Sequence, residues 1–342
     1  MMPPILLHYY ITERCNCRCA ICDIWQKPSS GDARLPQVVE NLKSAKRLGV
    51  RFVDFTGGEP LLHDDLPAML TAAKKLGLQT SVTTNGVRYA QFAEQLAGRV
   101  DYLHFSLDAL DESRHNALRG RGLFRRVMEN IDLARQLRET PDLLFTVTEN
   151  NLDQLAPLVG FAQALGLMLI VNPFFSYALP HRPQSELLQQ IERFAAAPFV
   201  YLNPAFHRLR RQGGNQRSAP RCRAVSSTLV VSPDNHLLLP CYHFCRQRLP
   251  IPPTPGGLLQ ARKTALEGRF ARGQGRFSFC QGCHLNCYAD PSFLYVIDDF
   301  FWESSAAKLR YARDKYFRRR LFRRRFDPRP ALEIAQELMR RS

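Results

Sequence analysis

The segment 11-ITERCNCRCAICDIW-25 places four cysteines within eight positions. The cysteines are Cys15, Cys17, Cys19 and Cys22. The N-terminus has no basic segment ahead of a long apolar run, so it is unlike a secretory signal. No apolar run reaches the roughly 18 residues of a membrane span. We therefore expect a cytoplasmic protein, in which dense cysteine spacing indicates metal binding or catalysis more than disulfides.

The cysteine segment follows the first of six apolar runs that have strand-like composition. The predicted strands cover residues 5–11, 51–56, 79–84, 101–107, 143–148 and 167–172. Helical patterns separate them, so the chain predicts parallel strands joined by right-handed crossovers in an α/β fold. A doubly wound sheet and a partial barrel both fit, and both bind ligands at the carboxyl ends of strands.

Polar and glycine residues occur at these strand ends. They are Gly57-Gly58-Glu59-Pro60 after the second strand, Asn85-Gly86 after the third, Ser106 and Asp108 at the fourth, Asn150 after the fifth and Asn172 at the sixth. Since the carboxyl ends of parallel strands share one edge, we expect these side chains to surround one site.

The spacing C-x3-C-x2-C of Cys15, Cys19 and Cys22 can direct three thiolates at one small metal cluster. Four thiolates would close an iron–sulfur or zinc site, whereas three leave one iron open to another ligand. A zinc loop with a distant fourth ligand and incidental cysteines are the alternatives. Cys17 is expected to point away, as a packed thiol or one that tunes the cluster by hydrogen bonding.

With these motifs in order, residues 5–175 resemble the radical S-adenosylmethionine (radical SAM) superfamily. The cysteine motif matches with Ile21 in its apolar position, and the strand-end motifs are similar to the superfamily's GGE(P) and later strand endings. The resemblance implies a partial (β/α)6 barrel of the TIM type. It also implies a [4Fe–4S] cluster on Cys15, Cys19 and Cys22, with SAM bound to the open iron.

The resemblance further implies which residues bind SAM. Gly57, Gly58 and Glu59 would contact its amino group, and Ser106 and Asp108 its ribose and carboxylate; Ile21 and Asn85 complete the expected cofactor-binding set. A reductant such as flavodoxin or ferredoxin would supply one electron. SAM would then yield methionine and a 5′-deoxyadenosyl radical that abstracts a substrate hydrogen.

A second cysteine set lies after residue 221. Cys222 and Cys241 bracket a predicted hairpin, and Cys280 and Cys283 add a C-x2-C pair, so the four can form one four-thiolate site. This region resembles the twitch/SPASM extension of radical SAM enzymes, which implies one auxiliary [4Fe–4S] cluster. A structural zinc site is the alternative. Cys245 and Cys287 are left over as substitute ligands or structural residues.

The expected function is hydrogen abstraction from a small-molecule or lipid-precursor substrate, with the auxiliary cluster assisting electron transfer. The alternatives are a maturase of a ribosomally made peptide, an RNA-modifying enzyme, or a non-catalytic iron–sulfur or zinc protein. The start of the chain on the first strand disfavours a leader-binding domain. No catalytic residue is identified; Tyr177, His181 and Arg182 are candidates, or ordinary loop residues.

The predicted domains are a barrel at 1–205, an auxiliary domain at 206–300 and a basic helical tail at 301–342. The chain's net charge is +16, and residues 303–342 hold 13 Lys/Arg against 5 Asp/Glu, a net charge of +8. Leu309, Ala312 and Tyr316 fall on one helical face, but Phe317, Leu321 and Phe322 drift off it. The tail either docks on the barrel or binds an anionic partner: acidic lipid, RNA or a phosphorylated substrate.

Overall fold

The computed structural model describes residues 3–28, 30–175, 185–321 and 325–341. The strands are β1 Leu6–Thr12, β2 Phe52–Gly57, β3 Gln79–Thr84, β4 Tyr102–Ser106, β5 Asp142–Val147, β6 Leu169–Pro173, β7 Val200–Tyr201, β8 Thr228–Val231, β9 His236–Leu239 and β10 Gln247–Pro250.

The α-helices surround the sheet and form the C-terminal part of the chain. They are α1 Leu35–Arg47, α2 Leu66–Lys75, α3 Tyr89–Leu96, α4 Glu112–Arg119, α5 Phe124–Gln136, α6 Leu155–Leu165, α7 Ser185–Glu192, α8 Pro204–Arg211, α9 Ala224–Ser227, α10 Gly257–Glu267, α11 Arg269–Arg272, α12 Asn286–Phe293, α13 Asp299–Ala312, α14 Arg319–Leu321 and α15 Ala331–Arg341. Short 3-10 helices cover Ile24–Gln26, Pro60–Leu62, Glu149–Gln154 and Ser278–Cys280, and a π-helix covers Arg313–Arg318.

The sheet confirms the predicted α/β fold as a partial barrel. Its strand order is β10-β9-β8-β1-β2-β3-β4-β5-β6-β7, and β1 to β7 pair in parallel with their sequence neighbours. In β1 all side chains after the first are buried, as expected for a parallel strand covered on both faces. The carboxyl ends of β1 to β6 therefore form one rim.

Strand β8 lies parallel to the other side of β1, and β9 and β10 follow it antiparallel. The predicted hairpin after Cys222 thus extends the barrel sheet. One sheet crosses the predicted domain boundary at residue 205, and this arrangement brings the second cysteine region next to the first strand.

Helix α4 lies beside the strand-end rim, and its capping residues determine where it begins and ends. Its N-cap Asp111 accepts a hydrogen bond from the Arg114 N–H at 2.8 Å, and the helix ends at Gly120, which has a φ of 62°. A Cβ at Gly120 would lie 2.4 Å from the carbonyl oxygen of Arg18 in the first cysteine loop. Glycine therefore allows this helix end to touch that loop.

The C-terminal tail packs on the barrel. Helix α13 contacts α8, and α15 contacts α5 and α6. Fully buried Asp142, at the start of β5, receives hydrogen bonds from Lys315 Nζ at 2.7 Å and from Tyr311 Oη at 2.6 Å. This buried ion pair fixes the tail to the barrel end opposite the strand-end rim. Within the described part of the chain, no helix is long and apolar enough to cross a membrane.

Candidate active site

The loop after β1 is held in place by the end of α4. The Arg18 N–H donates to the Arg119 carbonyl at 3.2 Å, and the Ala20 N–H donates to the Leu118 carbonyl at 2.9 Å. The four cysteines of this loop, together with Ile21, border one cavity at the strand-end rim. The structure therefore brings the first predicted cysteine set to the expected edge of the sheet.

The thiols of this loop differ in their electrostatic surroundings. Hydrogen bonding with Cys17 and the charge of Arg119 outweigh burial and lower the pKa of Cys19 to about 6. Burial raises the pKa of Cys15 to about 11 and also raises that of Cys22. A low pKa favours the thiolate, which is the form that binds metals. Cys17 is only 2% exposed, as expected for a packed thiol, although it also borders the cavity.

Gly57 and Gly58 let the end of β2 lie directly against the start of the cysteine loop. The Gly58 N–H donates to the Thr12 carbonyl and the Glu59 N–H to the Arg14 carbonyl, both at 2.9 Å. A Cβ at Gly57 would be 1.8 Å from the Thr12 oxygen, and one at Gly58 would be 2.1 Å from the Arg14 oxygen. Any side chain at either position would force these two segments apart.

The carboxylate of Glu59 is buried and fixed by three donors. Its Oε1 accepts from the Thr84 hydroxyl at 2.7 Å and the Leu61 N–H at 3.1 Å, and its Oε2 accepts from the Asn85 N–H at 2.8 Å. Desolvation nevertheless raises the pKa of Glu59. The Asn85 side chain also donates to Asn16 Oδ1 at 2.7 Å, which joins the third strand end to the cysteine loop. The structure therefore links three of the predicted motifs directly.

Asp108 and Arg119 form a buried ion pair beside Cys19. The Arg119 Nη2 lies 2.6 Å from Asp108 Oδ2, and Arg119 Nη1 lies 3.8 Å from Cys19 Sγ. Desolvation opposes the charge, but Asp108 and Cys19 outweigh it and raise the pKa of Arg119. Ser106 and Arg119 border the cavity. Asp108 does not border it and is connected to it only by the ion pair with Arg119. Sequence reasoning missed Arg119, since one arginine at a helix end resembles any other.

The second cysteine set also converges. Cys222, Cys241, Cys280 and Cys283 border one cavity, whereas Cys245 and Cys287 are not among its lining residues. All ten cysteines of the chain are free thiols, so no disulfide closes this group.

Asn215 joins the segments that carry Cys222, Cys280 and Cys283. Its side-chain nitrogen donates to the carbonyls of Gly275 at 2.8 Å and Cys280 at 3.1 Å. Its side-chain oxygen accepts from the N–H groups of Arg221 at 2.9 Å and Cys222 at 3.0 Å. Its backbone N–H donates to the Cys283 carbonyl at 2.8 Å. Sequence reasoning missed Asn215, which lies in a Gly-Gly-Asn turn with no recognisable metal motif.

The donor chemistry of both thiol groups suits an iron–sulfur cluster, because three and four free thiols border their respective cavities. Among the described residues, no three His, Cys, Asp or Glu side chains lie close enough to chelate one metal ion.

The cavity at the rim has a volume of about 340 Å³ and lies between the two cysteine regions. This volume is within the usual range for small-molecule sites. Residues on the side away from the first cysteine set are Asn172, Phe174, Phe175, Phe206, Arg210, His243, His284, Asn286 and Cys287. Burial lowers the pKa of Arg210 to about 9 and that of His243 to about 4.

The prediction for Asn150 was wrong, because this residue is exposed and does not border the cavity. Asn172 borders the cavity and accepts a hydrogen bond from the Asn286 side chain at 3.1 Å. The candidates Tyr177, His181 and Arg182 lie outside the described residues.

Comparison with known proteins agrees with this geometry. Residues 9–162 match the family model described as the radical SAM superfamily. A probable GTP 3′,8-cyclase of Archaeoglobus fulgidus is 32% identical over 156 residues, which are 44% of this chain and 52% of that protein. One of Methanococcus maripaludis is 29% identical over 184 residues, 51% of this chain and 59% of that protein. The chain spans about half the length of the curated relatives it matches.

Solved structures share the fold. Streptococcus suis SuiB bound to precursor peptide SuiA has a TM-score of 0.66 and 16% identity, covering 88% of this chain and 76% of that one. The protein anSMEcpe with bound AdoMet has a TM-score of 0.61 and 15% identity, covering 98% and 99%. At these identities the likeness concerns the fold alone.

Proposed function

We propose, from the match of residues 9–162 to the radical SAM superfamily model, that this chain is a radical SAM enzyme and abstracts hydrogen from a substrate in the 340 Å³ cavity. The observation that carries this proposal is the convergence at one cavity of Cys15, Cys19 and Cys22 with Glu59 and Arg119.

The cofactors of this superfamily are a [4Fe–4S] cluster and SAM. When bound, they supply a carbon radical that takes a hydrogen atom from the substrate. The three cysteines would hold the cluster. Fixed by its three donors, the Glu59 carboxylate would accept from the SAM amino group, while Arg119 would stabilise the charge at Cys19. Ile21, Asn85, Ser106 and Asp108 remain our further candidates for positioning SAM.

The second cysteine set is proposed to hold an auxiliary [4Fe–4S] cluster in a twitch/SPASM-like domain. Four thiols saturate such a cluster, so it would accept or return an electron without binding SAM. A compact aromatic group lies between the two cysteine sets: the rings of Tyr10 and Tyr242 stack with centroids 3.8 Å apart, and the Tyr288 hydroxyl accepts a hydrogen bond from the Tyr242 N–H at 3.0 Å. This packing supports electron exchange between the two sites.

A small molecule, including a lipid precursor, is the substrate class we propose. The cavity volume suits a ligand of that size, and the curated relatives carry the name of an enzyme acting on GTP. A ribosomally made peptide or RNA is the alternative. We further propose a flavodoxin- or ferredoxin-type reductant and a cytoplasmic location, in keeping with ten free thiols.

Formation of 5′-deoxyadenosine by the anaerobically reconstituted protein, with dithionite as reductant, tests the proposal. We expect the wild type to form it and Cys19→Ala to form none. Cys245→Ala is the matched control, because Cys245 borders neither cavity, and it should retain the activity. No 5′-deoxyadenosine from the wild type with its full iron content would refute the enzymatic proposal and favour a non-catalytic metal protein.

A further inference from the structure

The outer face of the tail helix presents large apolar side chains to solvent. Trp302 is 63% exposed, Leu309 73%, Phe317 68% and Leu321 79%. We call these four residues the tail ridge. They lie on α13, on the π-helix and on α14, which continue one another along the chain. Clustered exposed apolar residues of this size mark an interaction surface.

The inner face of the same helix is mixed rather than apolar. A surface helix normally buries its apolar side. Here the buried positions between Asp299 and Leu321 are Phe300, Ser304, Ala307, Asp314 and Lys315. Lys315 pairs with Asp142, and Ser304 accepts from the Asn203 side chain at 3.3 Å. The docked face therefore combines three polar positions with two apolar ones, and the large side chains of the tail ridge stay exposed.

The π-helix over Arg313–Arg318 explains why the ridge is continuous. At about 100° per residue, a regular α-helix would place Leu321 about 120° around the axis from Leu309. A π-helix closes its turns with one extra residue, so it rotates the following residues back. Phe317 and Leu321 are both exposed as a result. The sequence pattern placed them off the face of Leu309; Phe322 lies outside the described residues.

Basic residues accompany the ridge. Arg313 and Arg320 are exposed within the same segment. Of its three acidic residues, Asp314 is buried and pairs with Arg313, while Asp299 and Glu303 pair with Arg208. Residues 303–342 carry a net charge of +8. The surface thus offers cationic groups beside aliphatic and aromatic side chains.

We propose that the tail ridge docks on the surface of an anionic lipid bilayer. A bilayer surface accepts every component at once: phosphate groups bind the arginines, Trp302 suits the interface, and Leu309 and Leu321 enter the acyl boundary. Single-stranded RNA would stack on aromatic rings but offers nothing to the two leucines. A second copy of the chain would bring two cationic surfaces together, which charge repulsion opposes.

Vesicle flotation of the full reconstituted chain tests this proposal. We expect about tenfold more binding to phosphatidylcholine vesicles containing about a third phosphatidylglycerol than to pure phosphatidylcholine vesicles. Leu309→Glu/Phe317→Glu should lower that binding about tenfold. Lys43→Gln/Arg47→Gln removes the same net charge at exposed positions of α1 and should leave it unchanged. Equal thermal midpoints would show that both double variants are folded.

Four results would overturn the proposal. The first two are unchanged vesicle binding by Leu309→Glu/Phe317→Glu and equal binding of the wild type to both kinds of vesicle. The third is that the wild type binds single-stranded RNA and no vesicles. The fourth is that the wild type binds no vesicles but forms a dimer, which Leu309→Glu/Phe317→Glu converts to a monomer. None of these depends on the substrate or on SAM cleavage.

Discussion

The side chain of Asn215 connects two of the segments that carry the second cysteine set. We predict that Asn215→Ala disrupts the second cysteine set. The asparagine is 1% exposed and makes four side-chain hydrogen bonds, to the segments around Gly275, Cys280 and Cys222. Alanine removes all four and leaves two carbonyl groups and two N–H groups without these partners.

The magnitude follows from these contacts. Each hydrogen bond contributes a net stabilisation of about 0.5–1.5 kcal/mol, so four contribute roughly 2–6 kcal/mol to the free energy of unfolding. That is a large part of the total stability of a typical domain, about 5–15 kcal/mol. Because the bonds join the segment carrying Cys222 to the one carrying Cys280, much of this loss should appear as local opening around the second cysteine set.

Iron content and the urea midpoint measured anaerobically report on this loss. We expect Asn215→Ala to bind about half the wild-type iron after reconstitution and to unfold at lower urea. Gln212→Ala, at an exposed position in the same turn, should match the wild type in both. If Asn215→Ala keeps the full iron content and the wild-type midpoint, Asn215 does not organise the site.

Three other perturbations test the remaining structure. Arg119→Met should slow 5′-deoxyadenosine formation about tenfold or more, because it removes the charge beside Cys19; a wild-type rate would exclude that role. Gly58→Ala should also block this reaction, since its Cβ would overlap the Arg14 carbonyl oxygen, whereas Gly122→Ala meets nothing within 4 Å and should not. Lys315→Met should lower the free energy of unfolding at neutral pH by about 3–5 kcal/mol, because it removes the lysine charge beside the buried Asp142 carboxylate. Burial opposes ionisation, but Lys315 and His104 outweigh it and lower the pKa of Asp142 below 3.8. The pair's stabilisation is therefore complete above that value and lost as the pH falls below it, so the difference from wild type should shrink in urea titrations toward acidic pH; a constant difference would contradict the pairing.

The parts of the site predicted from sequence are those fixed by local patterns. Alternating strand and helix signals located the carboxyl ends of the strands, and the structure places Cys19, Glu59, Asn85 and Ser106 around one cavity there. The periodicity of a parallel β/α repeat is sufficient for this, since the fold brings its strand ends together.

Residues whose role depends on distant packing were missed. Arg119 matters because Gly120 lets α4 touch the cysteine loop, and Asn215 because it bonds segments about 60 residues apart along the chain. The π-helix of the tail was also beyond a pattern that assumes regular helical rotation. For Arg119 and Asn215 the deciding contact joins segments that no short sequence window contains.

The central claim is that the two cysteine sets hold one [4Fe–4S] cluster each. Iron and sulfide content after anaerobic reconstitution, compared between the wild type and the triple variant Cys15→Ala/Cys19→Ala/Cys22→Ala, tests it most directly. We expect about eight irons per chain in the wild type and about four in the variant. About four irons falling to none, with zinc retained, would contradict the account and make the second set a structural zinc site.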